Sequence, residues 1–155
     1  MARIEIGKRA PAFELVDQNA KRHALKDYAG RVVVLFFYPK DDTSGCTAES
    51  KDFSALKADF DKSGVEVVGL SPDPVSSKVK FRRKHDLTVR LAADETRKTL
   101  EAYGVWVEKS MYGRKYMGIE RSTFLVGADG KVAQAWRKVS VAGHAAEVLA
   151  AAKAL

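Results

Sequence analysis

A chain of 155 residues, 46% hydrophobic and 30% charged, is long enough for one domain with a sizeable core, and this balance excludes a disordered polypeptide. Its one cysteine, Cys46, excludes an internal disulfide framework and cysteine-rich zinc sites. The formal charge of +7 arises from 27 basic residues dispersed among 20 acidic ones, and the one compact cluster, Arg82-Arg83-Lys84-His85, reads as the solvated face of a helix rather than a nucleic-acid site.

The opening MARIEIGKRAPAF carries charges throughout and lacks a signal-peptide core, and no run approaches the ~18 apolar residues of a membrane span. The chain is therefore read as cytoplasmic, without a membrane partner. Pro11, Phe13, Leu15 and Val16 before the polar DQNAKR predict a short strand and turn at a sheet edge, and 24–30 forms a compact lead-in ending at Gly30. From Val32 to Tyr38 the run is apolar without alternation, the pattern of a central strand covered on both faces.

A polar turn follows Pro39, and a helix is predicted from Cys46 to about Asp61, with Phe53, Leu56 and Phe60 on one face. Lys62-Ser63-Gly64 stops it. Val65 to Leu70 is the next buried strand, and Ser71-Pro72-Asp73-Pro74 leads into a helix through about Lys84. A weaker repeat follows: a strand from Val89 to Ala92 and a helix from Glu95 to Tyr103, closed by Gly104. Strands at Ser122 to Val126 and Lys131 to Trp136 flank an Asp-Gly turn, a hairpin signal. A final amphipathic helix from about Gly143 aligns Ala145, Val148, Leu149, Ala152 and Leu155. Alternating strands and helices plus a hairpin predict one α/β domain over 1–155 with a mixed central sheet.

The chemistry concentrates at the turn before the first long helix. A thiol attacks electrophiles as thiolate, and the free N–H groups and dipole of a helix N-terminus favour negative charge. A lone cysteine is commonly a small buried hydrophobe, but Cys46 follows Thr43, Ser44 and Gly45 in a polar turn rather than lying in an apolar run. The Thr43 hydroxyl can accept one hydrogen bond while donating another, or it can simply cap the helix. Pro39 ends the strand and can also shield the thiolate from water.

The segment Phe37-Tyr38-Pro39-Lys40-Asp41-Asp42-Thr43-Ser44-Gly45-Cys46-Thr47-Ala48-Glu49 resembles the Pro-x-x-x-Thr-x-x-Cys signature of the peroxiredoxins, in the form of their Q-type branch, the bacterioferritin comigratory proteins. A second block, Met111-Tyr112-Gly113 through Gly118-Ile119-Glu120-Arg121-Ser122-Thr123-Phe124, resembles the same branch, and the likeness runs from about Gly7 to the C-terminus. The resemblance implies a thioredoxin-like fold and reduction of hydrogen peroxide or organic hydroperoxides, in the service of antioxidant defence, with no cofactor. It assigns attack on the peroxide and the resulting sulfenic acid to Cys46, alignment to Thr43, cover to Pro39, and stabilisation of thiolate and leaving oxygen to Arg121. Glu49, one turn beyond Cys46, either orients Arg121 or lies in solvent.

The chain departs from the branch where many members carry a resolving cysteine: Lys51 stands five residues after Cys46, and Phe81, Arg82 and Arg83 stand in the later helix. The expected cycle is therefore a one-cysteine course in which thioredoxin, a glutaredoxin with glutathione, or a small thiol reduces Cys46, and the Cys46 helix stays folded. Ser44 stands where the family often has proline. The branch implies a monomer. A rival reading is a peroxide sensor or chaperone-like binding protein that uses the same thiol without turnover. A metal site lacks support, since His23, His85 and His144 show no ligand spacing, and no Cys-x-x-Cys or phosphate-binding motif occurs.

Overall fold

The computed structural model describes residues 4–155; the first three residues of the charged opening segment lie outside them. The chain forms β1 (Glu14–Asp17), β2 (Arg22–Ala24), a 3-10 turn (Leu25–Tyr28), β3 (Val32–Phe37), α1 (Ser44–Ala55), α2 (Lys57–Lys62), β4 (Val65–Ser71), α3 (Val75–His85) and β5 (Arg90–Ala93). Then come α4 (Lys98–Ala102), β6 (Trp106–Met111), β7 (Arg114–Ile119), β8 (Ser122–Val126), β9 (Val132–Trp136) and α5 (His144–Lys153).

Seven strands form one sheet in the order β2-β1-β5-β4-β3-β8-β9. β3, β4 and β5 are parallel, joined by helical crossovers, whereas β1, β2, β8 and β9 pair antiparallel. β3 is central as the apolar run requires: Val33, Leu35 and Phe37 enter a core with Tyr103, Val105 and Phe124, while Val34, Phe36 and Tyr38 enter the opposite one with Phe53, Phe60, Phe81 and Val148. Cys46 belongs to the second core. Phe36 stacks on Phe53 at 4.5 Å between ring centroids, docking α1 on the sheet. Gly69 of β4 makes room for that ring, since a Cβ there would stand 2.5 Å from the Phe36 Cζ.

Three expectations need correction. β1 is not an edge strand, because β2 takes the edge and β5 lies on the other side. The helix from Cys46 to Asp61 starts earlier, at Ser44, and is broken at Leu56 into α1 and α2, although Phe53 and Phe60 are both buried on the expected face. Leu155 lies beyond α5 and is 61% exposed, so the C-terminal stripe ends at Ala152. The β6–β7 hairpin, a separate two-stranded sheet, has no counterpart among the predicted elements.

Candidate active site

The C-terminal ends of the parallel strands bring the site together, the usual location of sites in such sheets. β3 delivers the chain to a turn at Pro39, and α1 begins at Ser44 with Thr43 as its N-cap. Cys46 is thus the third residue of α1, still within its first turn, where the helix N-terminus favours an anion. Its side chain belongs to the core, with 1% of the residue exposed.

Arg121 arrives from the other side of β3. In the antiparallel β3–β8 ladder Phe37 lies opposite Ser122, so the residue just before β8 sits at the end of β3 where Cys46 begins its turn of helix. One guanidinium nitrogen, Nη2, donates to Cys46 Sγ at 3.2 Å, and the other, Nη1, donates to Glu49 Oε1 at 2.7 Å. A charged N–H aimed at sulfur is a contact that a thiolate accepts far better than a thiol. Gly45 supplies clearance for this fork, because a Cβ there would stand 3.2 Å from Nη2.

Burial works against the charge of Arg121, but Glu49 and Cys46 outweigh it and hold the guanidinium above the usual arginine range. Glu49 is not the solvent-exposed glutamate of the alternative reading, since its residue is 1% exposed. Its second oxygen, Oε2, has no hydrogen-bond partner among the described residues. Burial pushes its carboxyl from 4.5 up to about 7, against the pull of Arg121.

The sign of the resulting pH dependence follows directly. Between 4.5 and about 7 the folded chain keeps a proton on Glu49 that the unfolded chain has lost. Stability therefore falls as pH rises through this window and this contribution is flat above it, by up to about 3 kcal/mol in total. Glu49→Gln removes this slope. Denaturant titrations of both proteins at the two ends of the window should show the variant losing less stability than the parent.

Thr43 occupies the N-cap, yet its hydroxyl does not cap the helix. It donates instead to the Lys40 carbonyl at 2.8 Å, while the Thr43 carbonyl accepts the first helical hydrogen bond from Thr47 N–H. With its proton committed to Lys40, the exposed hydroxyl oxygen presents lone pairs as an acceptor. Pro39 is half-buried at the start of the turn. The structure thus joins Arg121, Glu49 and Cys46 by direct contacts and puts Thr43 and Pro39 on the adjoining turn. Lys51 and Arg83, two of the positions considered for a resolving cysteine, are exposed, and Phe81 is core.

Ser44 is the first residue of α1, where proline is favoured because the N–H has no helical partner. The preceding Thr43 has φ −89° and ψ 156°, the extended conformation that a following proline requires. Ser44→Pro is expected to stabilise the fold by about 0.5–1 kcal/mol through the unfolded state, a rise of roughly 1–4 °C in Tm by calorimetry.

The AhpC/TSA family model matches residues 6–135. Peroxiredoxin Bcp of Bacillus subtilis is 44% identical over 146 residues, covering 94% of this chain and 93% of that protein. Peroxiredoxin Bcp of Xanthomonas campestris is 50% identical over 130 residues, covering 84% of this chain and 81% of that one. The solved structure of the Xanthomonas campestris bacterioferritin comigratory protein superposes with a TM-score of 0.91 at 44% identity, covering 97% of this chain and 98% of the other. With these relatives spanning most of its length, the chain belongs to the AhpC/TSA family and is a peroxiredoxin of the Bcp type, a thiol peroxidase on a thioredoxin-like fold with a single cysteine.

Proposed function

We propose that Cys46 is the thiol that attacks the hydroperoxide, with Arg121, Thr43 and Pro39 forming its catalytic surroundings and Glu49 holding Arg121. The observation that carries this is the Arg121 guanidinium shared between Cys46 Sγ and Glu49 Oε1. The thiolate attacks one peroxide oxygen and a bond forms from sulfur to that oxygen while the O–O bond breaks. Its electron pair leaves on the distal oxygen, which takes up a proton and departs as water or an alcohol. Thr43 Oγ1, its own proton held by Lys40, accepts the hydrogen bond of the incoming O–H and sets the line of attack. Arg121 donates to the oxygens as charge develops on them. Pro39 limits water at the sulfur.

The substrates are hydrogen peroxide and organic hydroperoxides; the solved relative from Xanthomonas campestris concerns alkyl peroxide reduction, which supports the organic class. With no second cysteine in the sequence, the Cys46 sulfenic acid condenses with an external thiol, releasing water and leaving a mixed disulfide. A second thiol then displaces Cys46 and carries away the disulfide. Thioredoxin, glutaredoxin with glutathione, or a small thiol fits this role. The proposal includes a monomer acting as one domain in the reducing cytoplasm; no helix among the described residues is long and apolar enough to cross a membrane. Steady-state peroxide consumption with thioredoxin, glutaredoxin plus glutathione, and dithiothreitol offered separately tests it. Turnover with at least one is expected, and oxidation that stops at one equivalent with all three favours the sensor.

A further inference from the structure

Beside the active-site turn lies a buried lysine that the reaction as described does not use. Lys78 of α3 is fully buried, and its ammonium donates to Asp41 Oδ1 at 3.0 Å, to the Tyr38 hydroxyl at 3.0 Å and to Ser71 Oγ, which satisfies all three of its N–H groups. Asp41 lies between Pro39 and Thr43. Its carboxylate also accepts from Tyr38 Oη at 2.6 Å and from Ser77 Oγ at 2.7 Å. Ser71 Oγ in turn donates to Asp73 Oδ2 at 2.7 Å. One cation thus stands among two carboxylates and ties together the ends of β3 and β4, the start of α3 and the turn.

The link to the chemistry is one peptide unit. The Asp41 N–H donates to Asp73 Oδ2 at 2.7 Å, and the carbonyl of the same planar Lys40–Asp41 peptide accepts the Thr43 hydroxyl at 2.8 Å. Whatever orients this plane decides where the Thr43 proton goes, and so whether its oxygen is free to accept. Burial draws Lys78 below the ordinary lysine range, opposed chiefly by Asp41 and then by Asp73, the two carboxylates of the turn. The neighbouring residue Asp42 has φ +63°, a conformation uncommon for any residue but glycine, and is held from the same helix by Lys84 and His85.

We propose that Lys78 is a positioning residue for peroxide reduction: by neutralising Asp41 and Asp73 it fixes the Lys40–Asp41 peptide and thereby the acceptor face of Thr43 above Cys46. The inference rests on the reading of Cys46 and Thr43 given above. Loss of the ammonium removes the hydrogen bonds that tie Tyr38, Asp41 and Ser71 together and leaves Asp73, which holds the peptide, without its counter-charge, and misalignment on the scale of an ångström is costly to an oriented attack.

The test compares two single-turnover reactions of Cys46 in the reduced chain: oxidation by hydrogen peroxide, which needs Thr43 in place, and alkylation by iodoacetamide, which does not. Lys78→Met is expected to slow the peroxide reaction by about 10-fold or more while alkylation stays within about threefold of the parent. Because Lys78→Met strands a buried carboxylate, the double variant Lys78→Met/Asp41→Asn removes both charges and is expected to fold and show the same selective loss. Ser77→Ala, which takes one partner from Asp41 and leaves the buried charges paired, should show a smaller selective loss, about two- to fivefold. Equal slowing of both reactions, or a peroxide rate within about threefold of the parent in a folded Lys78 variant, overturns the proposal; if neither Lys78 variant folds, unchanged rates in Ser77→Ala overturn it. A parent chain that is alkylated at Cys46 yet not oxidised by peroxide would instead refute the underlying reading of the thiol.

Discussion

Cys46→Ser is expected to reduce peroxide consumption to the uncatalysed background with every thiol reductant, while leaving the fold in place. The serine hydroxyl is a far weaker nucleophile than a thiolate, and among the described residues the one polar contact of the Cys46 side chain is Arg121, with no histidine or other base hydrogen-bonded to it. The exchange is nearly isosteric within the core shared with Phe53 and Val34, and the new oxygen inherits the Arg121 N–H as a partner, so no buried group is stranded. Circular dichroism and thermal unfolding close to the parent, together with loss of turnover, are the expected pair. Residual turnover in the serine variant would place the chemistry elsewhere, and the sequence holds no second thiol to receive it.

Arg121→Met is expected to lower the second-order rate of Cys46 oxidation by about 10²–10³-fold, the scale of removing one preorganised donor from a developing anion. The loss is double. The sulfur loses its charged donor, and Glu49 Oε1 loses the partner that kept it bonded, joining Oε2 as an unpaired buried oxygen. Arg121 holds the Glu49 carboxyl down against burial, so in the variant that carboxyl rises further and remains neutral through the neutral range, which limits the cost in stability. Arg121→Lys keeps one positive charge but not the planar fork that reaches sulfur and carboxylate at once, and an intermediate rate is expected. Stopped-flow fluorescence or competition with a reference peroxidase measures both. Equal rates for the methionine and lysine variants would show that geometry rather than charge dominates.

Most of the scaffold was legible because its strands and helices carry their own patterns. The unbroken apolar run of β3 requires burial on both faces, and the Asp-Gly turn pins the β8–β9 hairpin. The β6–β7 hairpin was missed because its side chains are mostly exposed, including Met111, Tyr112, Tyr116 and Met117, so no alternation marks a buried face. The start of α1 was placed late for a related reason: Ser44 and Gly45 add nothing to an apolar stripe, and the helix begins with Thr43 in the extended conformation of an N-cap.

Within the proposed site, the turn singles out Cys46 and Thr43 as candidates, but residue types alone do not pair Cys46 with Arg121. That contact depends on the β3–β8 register across 75 positions, and only the two-block resemblance pointed to it. Gly45 was passed over because its use is negative, the space that Arg121 occupies. Lys78 was missed because a lysine in the basic helix VSSKVKFRRKH reads as solvated. The available signal was its position three residues before the buried Phe81, which puts both on the inward face of α3.

The most direct test of the account is the mass of the intact reduced chain after one equivalent of hydroperoxide in the absence of added thiol. The account predicts a monomer that gains one oxygen, located on Cys46 and trapped there by a sulfenic-acid reagent, and that returns to its original mass on addition of a reducing thiol. An unmodified Cys46 after the peroxide has been consumed, or oxygen carried by methionine instead, would contradict it.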